Sequence, residues 1–107
     1  MKDLNEIFRL DGKVIVVTGA AGLLGRKHAE AIVAFGGTPI LLDIDPDQLY
    51  TFADNLSKES NIDCFAGVVD ITNEDEIRAN CSEIKNKYGK IDGLILNAAR
   101  NPKIEKS

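Results

Sequence analysis

The chain has 107 residues, 44% hydrophobic and 28% charged, the balance of one globular domain that can bury a core and too short for two. Thirteen Lys and Arg against seventeen Asp and Glu leave a formal charge of -4 with no basic block, so nucleic acid is not an expected partner. No window approaches the roughly 18 apolar residues of a membrane span, and the opening residues lack the apolar stretch of a signal peptide, so the expectation is a soluble, cytoplasmic protein with no membrane partner.

In chain order, Val14-Ile15-Val16-Val17 is the first of four runs that are apolar at every position, the pattern of a strand buried on both faces. A helix follows from about Leu23 to Phe35, with Leu24, Ala31, Ile32 and Phe35 at helical spacing and Gly36-Gly37 to end it. Pro39-Ile40-Leu41-Leu42 is the second strand. The next helix opens at Pro46 and carries Leu49, Phe52, Ala53 and Leu56 on one face. Cys64-Phe65-Ala66-Gly67-Val68-Val69 is a weaker third strand. A third helix, from about Asn73 to Tyr88, presents Ile77, Cys81, Ile84 and Tyr88, with Thr72 or Asn73 as cap and Gly89 as terminator. Gly93-Leu94-Ile95-Leu96 is the fourth strand. Cys64 and Cys81 have neither further cysteines nor a nearby histidine to complete a metal-ligand set, so no metal is expected and both read as small core residues.

Strands alternating with helices predict an α/β fold, a parallel sheet joined by right-handed crossovers, here the first half of a doubly wound sheet. Residues 101–107 lose all periodicity and read as loop or disorder, which puts the core at about 10–100. An apolar strand placed last lacks a neighbour and cover, which suggests a piece of a longer protein and predicts self-association through that strand.

Directly after the first strand stands Thr18-Gly19-Ala20-Ala21-Gly22-Leu23-Leu24-Gly25. Gly19 permits a sharp turn, Gly22 lets the backbone approach a diphosphate, and Gly25 lets the helix pack on the sheet. Backbone amides at the positive end of a helix hold an anion without any basic side chain. A P-loop does not fit, because Gly25 is followed by Arg26 and Lys27 with no hydroxyl in the metal-binding place. Asp43, about 24 positions after Gly19, stands near the spacing at which an acid meets the adenosine ribose. Its charge repels a 2′-phosphate, and Ala20 and Ile44 offer no positive charge to hold one, so NAD is expected over NADP.

These residues resemble the short-chain dehydrogenases/reductases, from about Leu10 onward. Gly12-Lys13-Val14 is similar to the family's entry into the first strand, and Thr18 to Gly25 to its glycine loop. Asp70-Ile71-Thr72 resembles the segment after strand three that meets the adenine, and Asn97-Ala98-Ala99 the segment after strand four that closes over the adenosine half. The resemblance implies a Rossmann-type sheet of order 3-2-1-4 and a cofactor site of Thr18, Gly19, Ala21 to Gly25, Asp43, Ile44, Asp70, Ile71, Asn97, Ala98 and Ala99. One departure stands out: Gly22 follows the T-G-x-x-G-x-x-G spacing of the family's extended branch, whereas Asn97 and the Gly89-Lys90-Ile91-Asp92 lead-in belong to the standard branch. A standard-branch member with a variant loop is the expected type.

In this family a Tyr with a Lys four positions later, helped by an upstream Ser and usually an Asn, carries proton transfer while hydride moves to or from the nicotinamide. Tyr50 is followed four later by Asp54 and Tyr88 by Asp92, so neither forms that pair and both read as packing residues. No catalytic residue is therefore expected in these 107. His28 falls on the semi-buried face of the first helix, Arg26 and Lys27 on a solvated helix surface, and Arg100 in the loop after Asn97 near the cofactor. The implied protein is the NAD-binding portion of an oxidoreductase acting on an alcohol or carbonyl substrate, with a sugar derivative favoured and a homo-oligomer expected. A non-catalytic dinucleotide sensor or truncated pseudoenzyme is the rival, and a response-regulator-like module is disfavoured because Thr18-Gly19 stands where its acidic cluster would be.

Overall fold

The structure, a computed structural model, describes residues 4–97. One helical turn, α1 (Leu4–Ile7), precedes β1 (Val14–Thr18), α2 (Leu23–Ala34), β2 (Thr38–Asp43), α3 (Pro46–Ser60), β3 (Phe65–Val68), α4 (Glu74–Tyr88) and β4 (Gly93–Ile95). The strands form one parallel sheet in the order β3-β2-β1-β4, as the sequence predicts. The short α1 has no counterpart in the sequence reading, since four residues are too few to show a period.

Period-two alternation along the central strands sends neighbours to opposite faces. On one face Val17 and Leu41 join Ala29 and Ile32 of α2 and Leu49, Ala53 and Leu56 of α3. On the other, Val14, Val16, Ile40 and Leu42 meet Ile84 of α4. Helices on both faces make the sheet doubly wound. Ile40, Leu41, Leu49 and Ile84 are fully buried, each contributing about 1.5–3 kcal/mol relative to exposure.

Pro39 sits in a central strand, where a missing N–H is usually costly. Thr38 N–H donates to Lys13 O (2.9 Å) towards β1, so the nitrogen of the next residue faces β3. Pairing with β3 begins only at Ile40, opposite Phe65, so no ladder bond is lost.

Local signals fix the helix ends. The Asp45 carboxylate accepts the Gln48 N–H (3.2 Å) ahead of Pro46, and α3 ends at Asn61 in the left-handed region (φ 59°). Asn73 caps α4 by accepting the Glu76 N–H (3.1 Å), and Gly89 (φ 79°) closes it.

Several side chains lie elsewhere than expected. The buried face of α2 is Gly25, Ala29 and Ile32, whereas Leu24 and Ala31, seven residues apart and each one position before a buried residue, lie on a neighbouring stripe that is exposed. Cys64 is a core residue, but Cys81 is exposed on α4, and Ile77 is only partly covered. Leu94 and Leu96 are exposed as well: β4 is paired with β1 alone, and its residues are less covered than Ile40 and Leu41 of the central strand β2. Tyr50 projects from α3 into solvent rather than packing. Tyr88 does pack, its ring edge-on to Phe65 at 6.3 Å, with its hydroxyl buried and without a hydrogen-bond partner among the described residues.

Candidate dinucleotide site

The site lies at the carboxyl ends of β1, β2 and β4, where β1 runs into α2 and the strand order reverses. Thr18, the last residue of β1, is buried, and its hydroxyl accepts the Asn97 N–H (2.9 Å) and reaches the Ile95 carbonyl at 3.4 Å. Gly19 then turns the chain with φ +66°, a conformation that a side chain rarely adopts. The Gly19 carbonyl receives the Gly22 N–H (3.1 Å) and the Asn97 side-chain amide (3.4 Å). Thr18, Gly19 and Asn97 thus form one knot between the first and fourth strands.

The far side of the loop is tied to β2. Ala20 N–H donates to the Leu42 carbonyl (3.0 Å), and Ala21 N–H donates to Asp43 Oδ2 (2.9 Å). Asp43 Oδ1 accepts the Asp45 N–H (3.0 Å). Ile44 beyond it is exposed.

From Gly22, α2 starts without a side-chain cap among the described residues, and its first intrahelical bond is Arg26 N–H to the Gly22 carbonyl (3.0 Å). The N–H groups of Leu23, Leu24 and Gly25 therefore lie at the positive end of the helix with no carbonyl of the preceding turn to meet. The exposed side chains of Leu23 and Leu24 flank this end. Gly25 has the packing task expected of it: a Cβ there would lie 2.1 Å from the Gly19 carbonyl oxygen. At Gly22 the nearest atom would be 3.4 Å away, so the fold itself leaves room for a methyl group.

Asp70 heads the turn into α4. Its Oδ1 accepts from the backbone N–H (2.9 Å) and the hydroxyl (2.6 Å) of Thr72, and its own N–H donates to Glu76 Oε1 (3.0 Å). Ile71 lines an apolar groove with Thr18, Leu42 and Leu96, which brings the β3–α4 turn alongside the ends of β1 and β4. Ala98, Ala99 and Arg100 lie outside the described residues.

The structure corrects the placement of Arg26. Rather than lying free on a solvated surface, it is half-buried: its Nε donates to the Ala21 carbonyl (2.8 Å), its terminal nitrogen to Gln48 Oε1 (3.2 Å), and its guanidinium carbon lies over the Phe52 ring, 5.5 Å from the centroid. Nothing in the one-dimensional spacing marks this, since the partners lie on the loop and on α3. Lys27 remains exposed, paired with Glu30 at 3.6 Å. His28 is half-buried on α2, as expected. Burial pushes the Cys64 thiol up more strongly than the Ser57 hydrogen bond lowers it, which disfavours the thiolate there.

Comparison with known proteins agrees with this geometry. The sequence model of the short chain dehydrogenase family matches residues 13–107. The 7alpha-hydroxysteroid dehydrogenase of Escherichia coli is 33% identical over 94 residues, covering 88% of this chain and 36% of that protein. The L-fucose dehydrogenase of Oryctolagus cuniculus is 32% identical over 97 residues, covering 91% of this chain and 32% of its own length. The chain thus spans about a third of the curated relatives it matches. Among solved structures, a hydroxysteroid dehydrogenase from Escherichia coli superposes with a TM-score of 0.80 at 31% identity, over 92% of this chain and 41% of that one. NAD+-bound xylitol dehydrogenase gives a TM-score of 0.75 at 30% identity (85% and 35% covered). L-sorbose reductase from Gluconobacter frateurii, complexed with NADPH and L-sorbose, gives 0.81 at 25% (86% and 35%). With its glycine turn, its Asp at the end of the second strand and this match over nearly its whole length, the chain belongs to the short-chain dehydrogenases.

Proposed function

We propose that this chain forms the dinucleotide-binding half of an oxidoreductase that moves hydride between NAD(H) and an alcohol or carbonyl substrate. The observation that carries the reading is the uncapped start of α2, where the amides of Leu23, Leu24 and Gly25 follow Gly22. Such amides suit a pyrophosphate bridge, and an acidic chain needs no lysine to hold one there. A bound dinucleotide supplies the hydride chemistry at its nicotinamide ring. The residues of this chain bind and orient it.

Thr18 and Gly19 set the turn, and Ala21 to Gly25 seat the diphosphate. Asp43 accepts the adenosine ribose hydroxyls. Its two oxygens already take one N–H each, from Ala21 and Asp45, and a carboxylate oxygen has a second lone pair for a hydroxyl. Its negative charge favours NAD over NADP. Ile44, Asp70 and Ile71 border the adenine, and Asn97, Ala98 and Ala99 close the adenosine half. Similar structures are described with either NAD+ or NADPH, so the choice of dinucleotide falls on Asp43.

A sugar or sugar alcohol is the favoured substrate class, supported by neighbours named for xylitol, L-sorbose and L-fucose. Free thiols at Cys64 and Cys81 suit the reducing cytoplasm, and exposed Leu94 and Leu96 suit a homo-oligomer. Calorimetric titration with NAD, NADP and ADP tests the reading. NAD and ADP are expected to bind, with NADP at least threefold weaker and no turnover, since neither tyrosine here has the lysine partner. No binding of any of the three at millimolar concentration overturns the dinucleotide site, and NADP binding equal to or tighter than NAD overturns the Asp43 assignment.

A further inference from the structure

The peptide groups that flank Ala21 are gripped from two sides by side chains of other elements. On one side, Ala21 N–H donates to Asp43 Oδ2 at the end of β2 (2.9 Å). On the other, the Ala21 carbonyl accepts from Arg26 Nε (2.8 Å), and the N–H of that same peptide, Gly22 N–H, closes onto the Gly19 carbonyl (3.1 Å). Arg26 is itself fixed by Gln48 Oε1 (3.2 Å) and by the face of Phe52 (5.5 Å), both on α3. The circuit returns through Asp45, whose N–H bonds Asp43 and whose carboxylate caps α3 at Gln48.

A glycine-rich turn left to itself spreads over many backbone conformations, because glycine loses more freedom on ordering than any other residue. Ordering it only when ligand arrives would weaken binding by the fraction of time it is misaligned. Two charge-assisted hydrogen bonds on one residue, both anchored outside the loop, remove that freedom in advance.

We infer that Arg26 is a positioning residue, which together with Asp43 clamps the Ala21 peptides and so presets the α2 amides for the diphosphate. This rests on the dinucleotide reading above. It gives Asp43 a second task beyond its ribose contact, so exchanging that carboxylate for a small neutral side chain loosens the loop as well as removing the charge that disfavours NADP. Arg26 touches no part of the ligand; it acts through the Ala21 carbonyl.

The test uses the 107-residue chain and the variants R26M, R26K and Q48A, with amide hydrogen exchange measured without ligand and titration with NAD, NADP and ADP. R26M keeps the aliphatic stem over Phe52 but removes the donor. It is expected to speed exchange of the Gly22 amide about fivefold, while core amides such as Leu41 stay unchanged, and to weaken all three ligands about fivefold, the scale of one net hydrogen bond. R26K, which keeps a donor, is expected to restore part of both effects, and Q48A to reproduce them more weakly. Unchanged Gly22 exchange with unchanged affinities overturns the clamp. A loss confined to NADP overturns it too, because it would make Arg26 a direct ligand of the 2′-phosphate. Should the wild-type chain bind none of the three, the dinucleotide reading falls, and the Gly22 exchange rate alone still supports or overturns the clamp.

Discussion

Asp92 and Val14 exchange two hydrogen bonds at the start of the β1–β4 pairing. Asp92 N–H donates to the Val14 carbonyl (2.7 Å), and Val14 N–H donates to Asp92 Oδ2 (2.8 Å). A side chain thus completes the ladder one residue before β4 begins, and it sets the register that places Ile15 opposite Gly93. Lys90 lies 3.2 Å from the same oxygen.

That carboxylate gives an acid dependence with a defined sign. The Val14 amide holds Asp92 below the usual carboxylate range, outweighing the opposing effect of burial, with lesser help from Lys90 and Lys13. A lowered folded-state value means that the stabilisation is fully present above the unfolded value, about 3.9, and is lost as pH falls through the lowered one. Asp92→Asn keeps an oxygen for Val14 N–H but cannot titrate. Its thermal midpoint at pH 7 is expected slightly below wild type, and the gap is expected to narrow between pH 4 and pH 2. Thermal unfolding followed across that range checks it; a gap that stays constant with pH would assign the acid dependence elsewhere.

Gly25 and Gly22 are expected to separate folding from binding within one loop. At Gly25 a Cβ meets the Gly19 carbonyl oxygen at 2.1 Å and the Ala20 Cα at 2.8 Å, both backbone atoms, so Gly25→Ala is expected to cost about 1–3 kcal/mol of stability. At Gly22 the only neighbour within reach among the described residues is the Gly19 oxygen at 3.4 Å, and φ is an ordinary −77°. Gly22→Ala is therefore expected to fold within about 0.5 kcal/mol of wild type and yet to lose dinucleotide affinity, because the methyl group stands where the diphosphate would lie. Urea unfolding and NAD titration of the two variants give opposite patterns if this division holds.

The contrast between those glycines shows what the sequence can and cannot make legible. Strand and helix order and the turn at Thr18 follow from local pattern, because continuous apolar runs, Pro46, Asn73 and Gly89 act within a few residues, whereas the 3-2-1-4 order comes from the family resemblance. The clamp on Ala21 does not, since Arg26 finds Gln48 and Phe52 only once α3 has packed beside α2. Exposure at Cys81 and Leu94 was hidden for a related reason: periodicity reports which residues share a face, whereas burial depends on what covers that face. Asp70 is singled out in the sequence only by the family resemblance, and its Thr72 bonds are those of an Asx turn that many loops make without a ligand.

Asn73 carries the start of α4 and, through it, the turn at Asp70. Its side chain accepts the Glu76 N–H, while the Glu76 carboxylate reaches back to the Asp70 N–H, so one substitution loosens both. Asn73→Ala is expected to cost about 1 kcal/mol, and Asn73→Ser much less. Urea unfolding midpoints of the pair check the cap. Equal midpoints would mean that the flanking acidic residues of the first turn, Glu74, Asp75 and Glu76, hold the helix start without it.

Thr18 joins the glycine loop to the fourth strand through a single hydroxyl. Thr18→Val has nearly the same shape and keeps the buried packing, but it leaves Asn97 N–H without its acceptor at a half-buried position. The expected loss is about 1 kcal/mol, concentrated at one end of the sheet, whereas Thr18→Ser retains the hydroxyl and gives up only a methyl group. Amide exchange distinguishes a local effect from a global one: the Asn97 amide should become faster in Thr18→Val while Val16 and Leu41 in the sheet centre keep most of their protection. The Asn97 side chain also contacts the Gly19 carbonyl, so a freed Asn97 should weaken NAD binding in Thr18→Val more than in Thr18→Ser. Equal affinities in the two variants would show that the loop keeps its binding geometry without its tie to β4.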